Sequence, residues 1–144
     1  MKVFIYKTIE GNVCVGTGVS EDVEHIAKIT VPINTEFFIV ESESLPSEPQ
    51  AAWVLQEDGE IKIDQQKLIE FNRKNMPTLS PVEFDLKLNK AGLYDAVQEL
   101  IKDNFELRIA YTRAIFFSRT DPFIDQARIA LELTNEQVDA IWIS

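Results

Sequence analysis

The pattern of hydrophobic and polar positions changes its period once along the chain. Up to residue 63, short runs of β-branched and aromatic residues alternate with turn signals, as strands do. From Asp64 onward, apolar residues recur at helical spacing. The sequence therefore predicts an α+β fold, in which a mostly antiparallel β-rich part (residues 1–63) precedes a bundle of four to five helices (residues 64–144). The apolar residues suffice for one shared core or for two small ones.

Turn and cap signals place the elements of the first part. Glu10-Gly11-Asn12 and Asp58-Gly59 each set a glycine between two apolar runs, which predicts two hairpins. Residues 37–40, Phe-Phe-Ile-Val, are typical of a buried strand. Ser20 is the predicted N-cap of a short helix that begins near Val23.

Helix-start signals recur in the second part. Ser80-Pro81-Val82-Glu83 and Thr134-Asn135-Glu136-Gln137 are capping boxes, and Asp121-Pro122 is a cap followed by proline at the first helical position. Between these signals, the segment around Ile109 carries the broadest apolar face of the chain. We therefore expect that helix to be the most buried one.

The charge of the chain and the length of its apolar runs argue against two classes of binding partner, nucleic acids and membranes. The 144 residues include 14 Lys and Arg against 24 Asp and Glu, a formal net charge of -10. Phosphate binding needs a basic surface, so no nucleic-acid partner is expected. No apolar run approaches the roughly 18–20 residues that cross a bilayer, so no membrane partner is expected. Cys14, the sole cysteine, and an N-terminal apolar run too short for a signal peptide favour the cytoplasm.

Candidate chemistry is sparse. His25 is the only histidine and Cys14 the only cysteine, and they lie in different predicted elements. We read Cys14 as a small core residue and His25 as a surface or capping residue. No glycine-rich phosphate loop is present, and nothing selects one pair among the many carboxylates. The sequence therefore predicts no enzyme, no catalytic, cofactor-binding or metal-ligating residue, and no cofactor.

Aromatic and basic side chains could instead serve a protein partner. Trp53, Phe123 and Trp142 are the candidate partner-binding residues if they are exposed, and core residues if they are not. We expect at least one exposed apolar patch, on the β-rich part or at Trp142. The arginines of the helical part are expected to balance neighbouring acids rather than a partner's; they are Arg108, Arg113, Arg119 and Arg128.

Two segments resemble small proteins of tailed bacteriophages and prophages. The first runs from Val31-Pro32 through Leu45-Pro46 to Ala51-Ala52-Trp53 and precedes a helix that opens at Asp64. The second runs from residue 117 to residue 139; it contains Phe117-x-Arg119-x-Asp121-Pro122 and then Leu133-Thr134-x-x-Gln137-Val138-Asp139. The chain departs from the pattern at residues 47–50, which lack its basic and aromatic residues.

The resemblance implies a role in the tail or tail-fibre region, where several such proteins are tail-fibre assembly proteins. The expected function is non-catalytic protein–protein interaction, as an assembly chaperone or a small tail component. The expected partner is a phage tail or tail-fibre protein, self-association is compatible with the role, and the expected location is the bacterial host cytoplasm or the virion. The alternative is an acidic inhibitor of a host defence protein that mimics DNA. An enzyme based on carboxylates ranks last.

Overall fold

A computed structural model describes residues 1–18 and 22–144. The predicted α+β class is confirmed, because antiparallel strands come first and a run of helices follows. The chain divides into two compact units, Met1–Phe71 and Asn72–Ser144. This division falls inside a helix, slightly beyond the change of period at residue 64.

The strands of the first unit form two antiparallel sheets. The larger sheet has the order β2-β1-β3, with β1 spanning Lys2–Lys7, β2 Val13–Thr17 and β3 Phe37–Glu41. The smaller sheet pairs β4 (Trp53–Leu55) with β5 (Ile61–Ile63). Both predicted hairpin turns are confirmed, and Gly11 (φ 87°) and Gly59 (φ 86°) supply the left-handed conformation that the turns need.

Strand β1 is buried on both faces. Phe4 packs against Val23, Ala27 and Val31, which belong to helix α1 (Val23–Thr30) or follow it directly. Ile5, on the opposite face, shares a cluster with residues of β2, β4 and β5. The sheet therefore lies between one helix and one hairpin.

The start of α1 and the burial of β3 differ from the predictions. Asp22 caps α1 by accepting a hydrogen bond from the His25 amide (2.9 Å), whereas Ser20 lies outside the described residues. Strand β3 is not the buried strand that was predicted. It is an edge strand with half-buried and exposed residues, because only β1 pairs with it.

The second unit is helical. Residues 72–144, all of which the structure describes, contain five complete helices, and α2 (Gln65–Lys74) crosses the boundary between the units. The five are α3 (Pro81–Lys90), α4 (Tyr94–Lys102), α5 (Phe105–Arg113), α6 (Pro122–Ala130) and α7 (Asn135–Ile143). Both predicted capping boxes are confirmed. Asp121 precedes α6 as expected, but its carboxylate accepts from the Ser118 amide instead of a helix amide.

Aromatic rings form the centre of the second unit's core. Phe84 packs against Phe117, with ring centroids 4.2 Å apart, and against Trp142 at 5.9 Å. Phe117 is held in place by its backbone, which exchanges two hydrogen bonds with Leu79. The core thereby joins α3, α7 and the segment between α5 and α6.

We predict that Gly16→Ala destabilises the first unit. Gly16 lies opposite Phe4 on neighbouring strands, and a Cβ at residue 16 would stand 2.0 Å from the Phe4 ring. Because Phe4 is enclosed, the ring cannot move away freely, and we expect a loss of about 1–3 kcal/mol in the free energy of unfolding. Urea denaturation of the full chain measures it. Thr17→Ser, at an exposed neighbour, is the control, and an equally small effect of both changes would contradict the prediction.

Candidate interaction surfaces

The three aromatic residues predicted as partner anchors lie in the core. Trp142 is 2% exposed, and Trp53 and Phe123 are also buried. Each tryptophan buries its ring and donates its indole N–H to a backbone carbonyl, Trp53 to Glu48 (2.8 Å) and Trp142 to Pro77 (2.7 Å). The three residues were expected to bind a partner only if they were exposed, and they are not. Because Trp142 is buried, it also cannot provide the exposed apolar patch that was expected there.

Helix α5 is more exposed than its sequence predicts. The prediction that the helix around Ile109 is the most buried is wrong, since Leu107 is its one buried residue whereas α6 has three. Tyr111 holds the inner side of α5 through hydrogen bonds, donating to the Asp85 carboxylate and accepting from Gln98 (3.1 Å). The apolar residues that broaden the face therefore lie outside the core.

The outer side of α5 carries exposed apolar side chains. Phe105 (66% exposed) and Ile109 (39%) lie one turn apart, on the side of the helix opposite Leu107. Just after the helix ends, Ile115 and Phe116 are also exposed. We call Phe105 and Ile109 the α5 surface.

A groove of about 370 Å³ runs beside α5. Phe123 contributes to its wall, so this predicted anchor lies beneath a surface feature although its own side chain is buried. Its acidic members are Glu106 and Asp121. The apolar lining consists of Leu107, Ala110, Ala114, Phe116, Phe117, Pro122 and Phe123.

Strand β3 offers a second candidate surface, its outer edge. The Ser42 amide donates to the Met1 carbonyl (2.7 Å), which extends the β1–β3 register and fixes its phase. Hydrogen-bonding residues alternate along an antiparallel strand. Phe37, Ile39 and Glu41 are therefore the residues of β3 that direct their backbone N–H and C=O away from β1. The groups of Phe37 and Ile39 can pair with an extended chain, whereas the Glu41 carbonyl already accepts from the Ser44 hydroxyl (2.6 Å).

Both edges of this sheet are partly occupied. At β2, the Gln50 side chain donates to the outward carbonyl of Val13 (2.6 Å). At β3, the Ser44 hydroxyl donates to the outward carbonyl of Glu41 (2.6 Å), so the open part of that edge is at Phe37 and Ile39. Neither strand contains proline or lysine, the residues with which many edge strands discourage pairing.

A cleft of about 360 Å³ adjoins the start of β3. Glu36 and Phe38 line it from the β3 side, and Ile9 and Leu55 line it from neighbouring segments. A chain that pairs with a sheet edge gains specificity from pockets for its side chains. The cleft and the edge together can hold a strand and one of its side chains.

Two arginines of the second unit meet one carboxylate. Asp139 accepts from Arg119 Nε (2.7 Å) through Oδ1 and from Arg73 Nε (2.9 Å) through Oδ2, and Arg119 is only 4% exposed. Burial by itself would raise the pKa of Asp139, but the hydrogen bonds from Arg73 and Arg119 outweigh it and hold this pKa below its ordinary value. Of the arginines expected to balance nearby acids, Arg128 does so with Asp125 (2.8 Å).

The sole histidine and the sole cysteine lie in different elements. His25 is exposed on α1, as expected, and Cys14 is half-buried in β2. Comparisons with protein-family models, curated proteins and solved structures gave no match. Within residues 1–18 and 22–144, no helix is both long and apolar enough to span a membrane.

Sequence reasoning expected an exposed surface on the β-rich part without singling out β3, and it missed the α5 surface. An indirect signal existed for α5, because Glu106, Arg108 and Arg113 interrupt its apolar face. For β3 the sequence held no equivalent signal, because strand order depends on pairing between distant segments.

We predict that Asp139→Asn strongly destabilises the second unit. The change removes the carboxylate shared by Arg73 and Arg119, and breaking such a largely buried pair costs about 3 kcal/mol. The control is Asp125→Asn, which removes the exposed partner of Arg128 and should cost less than about 1 kcal/mol. The free energy of unfolding in urea at neutral pH measures both changes.

The same pair predicts a dependence on pH. Because the pKa of Asp139 is lower in the folded chain than in the unfolded chain, its stabilisation is complete at neutral pH and is lost as the pH falls below about 4. Stability should therefore fall more steeply on acidification for the unmodified protein than for Asp139→Asn. Parallel pH profiles of the two proteins would contradict this assignment.

Proposed function

We propose that the chain is a non-catalytic interaction protein that binds a tail or tail-fibre protein of a bacteriophage or prophage. It acts as an assembly chaperone or as a small tail component, in the host cytoplasm or in the virion. The phage setting rests on the sequence resemblance of residues 31–53 and 117–139. The mode of binding rests on the geometry of β3.

The observation that carries this proposal is the open edge of β3. An assembly factor must hold a segment of its partner before the partner's own neighbours are in place. A free sheet edge does so through main-chain hydrogen bonds, while the side chains add selectivity. Phe37 and Ile39 present the required N–H and C=O groups, and the adjoining cleft offers room for a side chain.

Charge favours a basic segment as the partner. The net charge of -10 attracts cationic chains at long range, and opposite charges speed association. Glu36 is exposed at the start of β3 and also lines the cleft. Glu41, at the other end, already has the N-terminal ammonium 3.4 Å away. We therefore expect an extended apolar segment whose basic residue lies near Glu36.

Three carboxylates have hydrogen bonds that suit structural roles. The pKa values of Glu43, Glu83 and Asp139 are lowered from their ordinary values. Hydrogen bonds from backbone amides lower the pKa of Glu43 and Glu83, which suits structural carboxylates.

Mimicry of DNA remains the alternative function, and it requires a continuous acidic surface. Several exposed acids instead stand beside bases, which favours the interaction role. The pairs are Glu24 with Lys28 (2.7 Å), Asp125 with Arg128 (2.8 Å) and Glu99 with Lys102 (3.8 Å).

Co-expression tests the function. The protein is produced with the tail-fibre protein encoded nearest to its own gene, and the mixture is analysed by size exclusion with light scattering. We expect a stable complex and a larger soluble fraction of the fibre protein. Failure of the unmodified chain to bind any tail or tail-fibre protein from its own genome would contradict the proposal.

A proline substitution tests the binding mode. Ile39→Pro deletes an N–H that points away from β1, so the β1–β3 hydrogen bonds remain and an added strand loses a bond. We expect at least about a tenfold loss of affinity for the fibre protein. Ile39→Thr keeps the N–H and should bind normally. Equal binding by both variants, with unchanged circular dichroism, would refute strand addition at this edge.

A further inference from the structure

We infer that the groove beside α5 binds an arginine side chain of a partner protein, which lies along Phe116 and pairs with Glu106 and Asp121. The inference goes beyond the proposed function, because it concerns the second unit and not the edge of β3. It can therefore hold or fail independently of strand addition and of any phage partner.

The first argument is the shape of the groove. Leu107, Ala110 and Ala114 recur at helical spacing, so they line it from one side of α5 and the residue that follows the helix. Phe117 and Phe123, with ring centroids 5.8 Å apart, are buried parts of the lining and belong to the packed core, so this part of the groove is formed in advance. The volume of about 370 Å³ is near the lower end of the range of ligand sites, which suits one long side chain.

The second argument is the exposed aromatic ring of the groove. Phe116 lines it and is 57% exposed, and no cation in the described part of the chain stacks over its ring. The chain itself shows what an exposed phenylalanine attracts, since the guanidinium of Arg108 lies 5.5 Å from the ring centroid of Phe105. An arginine suits Phe116 in the same way, because its planar guanidinium stacks on rings and its apolar stem packs beside them.

The third argument is charge complementarity. The charged residues of the lining are Glu106 and Asp121, both acids, and no basic residue lines the groove. Within residues 1–18 and 22–144 neither carboxylate forms an ion pair, whereas nearby Asp125 pairs with Arg128 (2.8 Å). Asp121 accepts from the Ser118 amide through Oδ2 (2.7 Å), which leaves Oδ1 for a further donor. A guanidinium has five N–H donors and can serve more than one carboxylate.

The rim of the groove favours a protein segment over a free small cation. Ala110, Pro122 and Gln126 are exposed members of the lining, so the backbone of a partner can lie across the opening. Apolar residues beside the bound arginine would then cover Phe116 and Pro122, and a free cation lacks this apolar contact. We therefore expect an arginine next to an apolar residue in the partner.

Titration of the full chain with a short peptide tests the inference. The probe is acetyl-Ala-Arg-Phe-amide, and its matched control carries citrulline, the uncharged analogue of arginine, at the central position. Two-dimensional amide NMR measures the affinity and locates the contact. We expect the arginine peptide to bind in the millimolar range with shifts at Ala110, Ala114 and Gln126, and the citrulline peptide to bind at least about tenfold more weakly.

Variants of the two acids test the charge contribution. Asp121→Asn keeps an oxygen that can accept from the Ser118 amide, and Glu106→Gln changes an exposed side chain, so both variants should fold. Each should weaken binding of the arginine peptide about threefold to fivefold, as loss of a solvent-exposed ion pair does. Glu99→Gln, at an exposed acid of α4 that does not line the groove, changes the net charge equally and should bind normally.

A filled groove provides the apolar comparison. Ala110→Leu places a larger side chain in the groove and should abolish binding, whereas Ala130→Leu, at an exposed alanine of α6 outside the lining, should not. Thermal unfolding shows that each variant is folded. No binding at about 10 mM arginine peptide, equal binding of the citrulline peptide, shifts away from the groove, or an affinity that neither acid variant changes would overturn the inference. Acetyl-arginine-amide that binds as tightly as the tripeptide would overturn the assignment to a protein segment.

Discussion

The first unit depends on the burial of strand β1 from both faces and its pairing along both edges. Phe4 lies under α1, Ile5 lies under the β4–β5 hairpin, and β2 and β3 take up the hydrogen-bonding groups at the sides. A strand enclosed in this way has no backbone group and no face left to bind a partner. The backbone N–H and C=O groups that lack a strand partner therefore lie on β2 and β3, each of which has only one neighbouring strand in the sheet. Gln50 occupies part of the β2 edge and Ser44 occupies the end of the β3 edge, so the outward groups of β3 that stay open are those of Phe37 and Ile39.

Local signals in the sequence located most of the elements. Ser80 and Thr134 cap their helices through side-chain bonds to nearby amides, and Gly59 lies in its turn with positive φ, so a few neighbouring residues determine each feature. Burial was harder to predict. The apolar run of β3 is compatible with a central or an edge strand, and β1, more than thirty residues away in sequence, decides which it is.

The sequence could predict which kind of residue forms the candidate site, but not where the site lies. An apolar run reveals that a side chain tends to leave water, but it does not reveal whether the same chain or another chain covers it. For Trp53 and Trp142 the same chain does, and their indole N–H groups find backbone carbonyls. For Phe105 the same chain does not.

The missing lysine and proline of β3 also bear on colloidal behaviour. Glu41 is the one charged residue of β3, so local protection of this strand against edge-to-edge stacking rests on that residue. The net charge of -10 supplies repulsion for the molecule as a whole, and dissolved salt weakens repulsion over distances beyond about 10 Å at ordinary ionic strength. The tendency of the isolated protein to aggregate therefore depends on the salt concentration of the buffer as much as on the chain. A partner strand bound at the edge would remove that dependence.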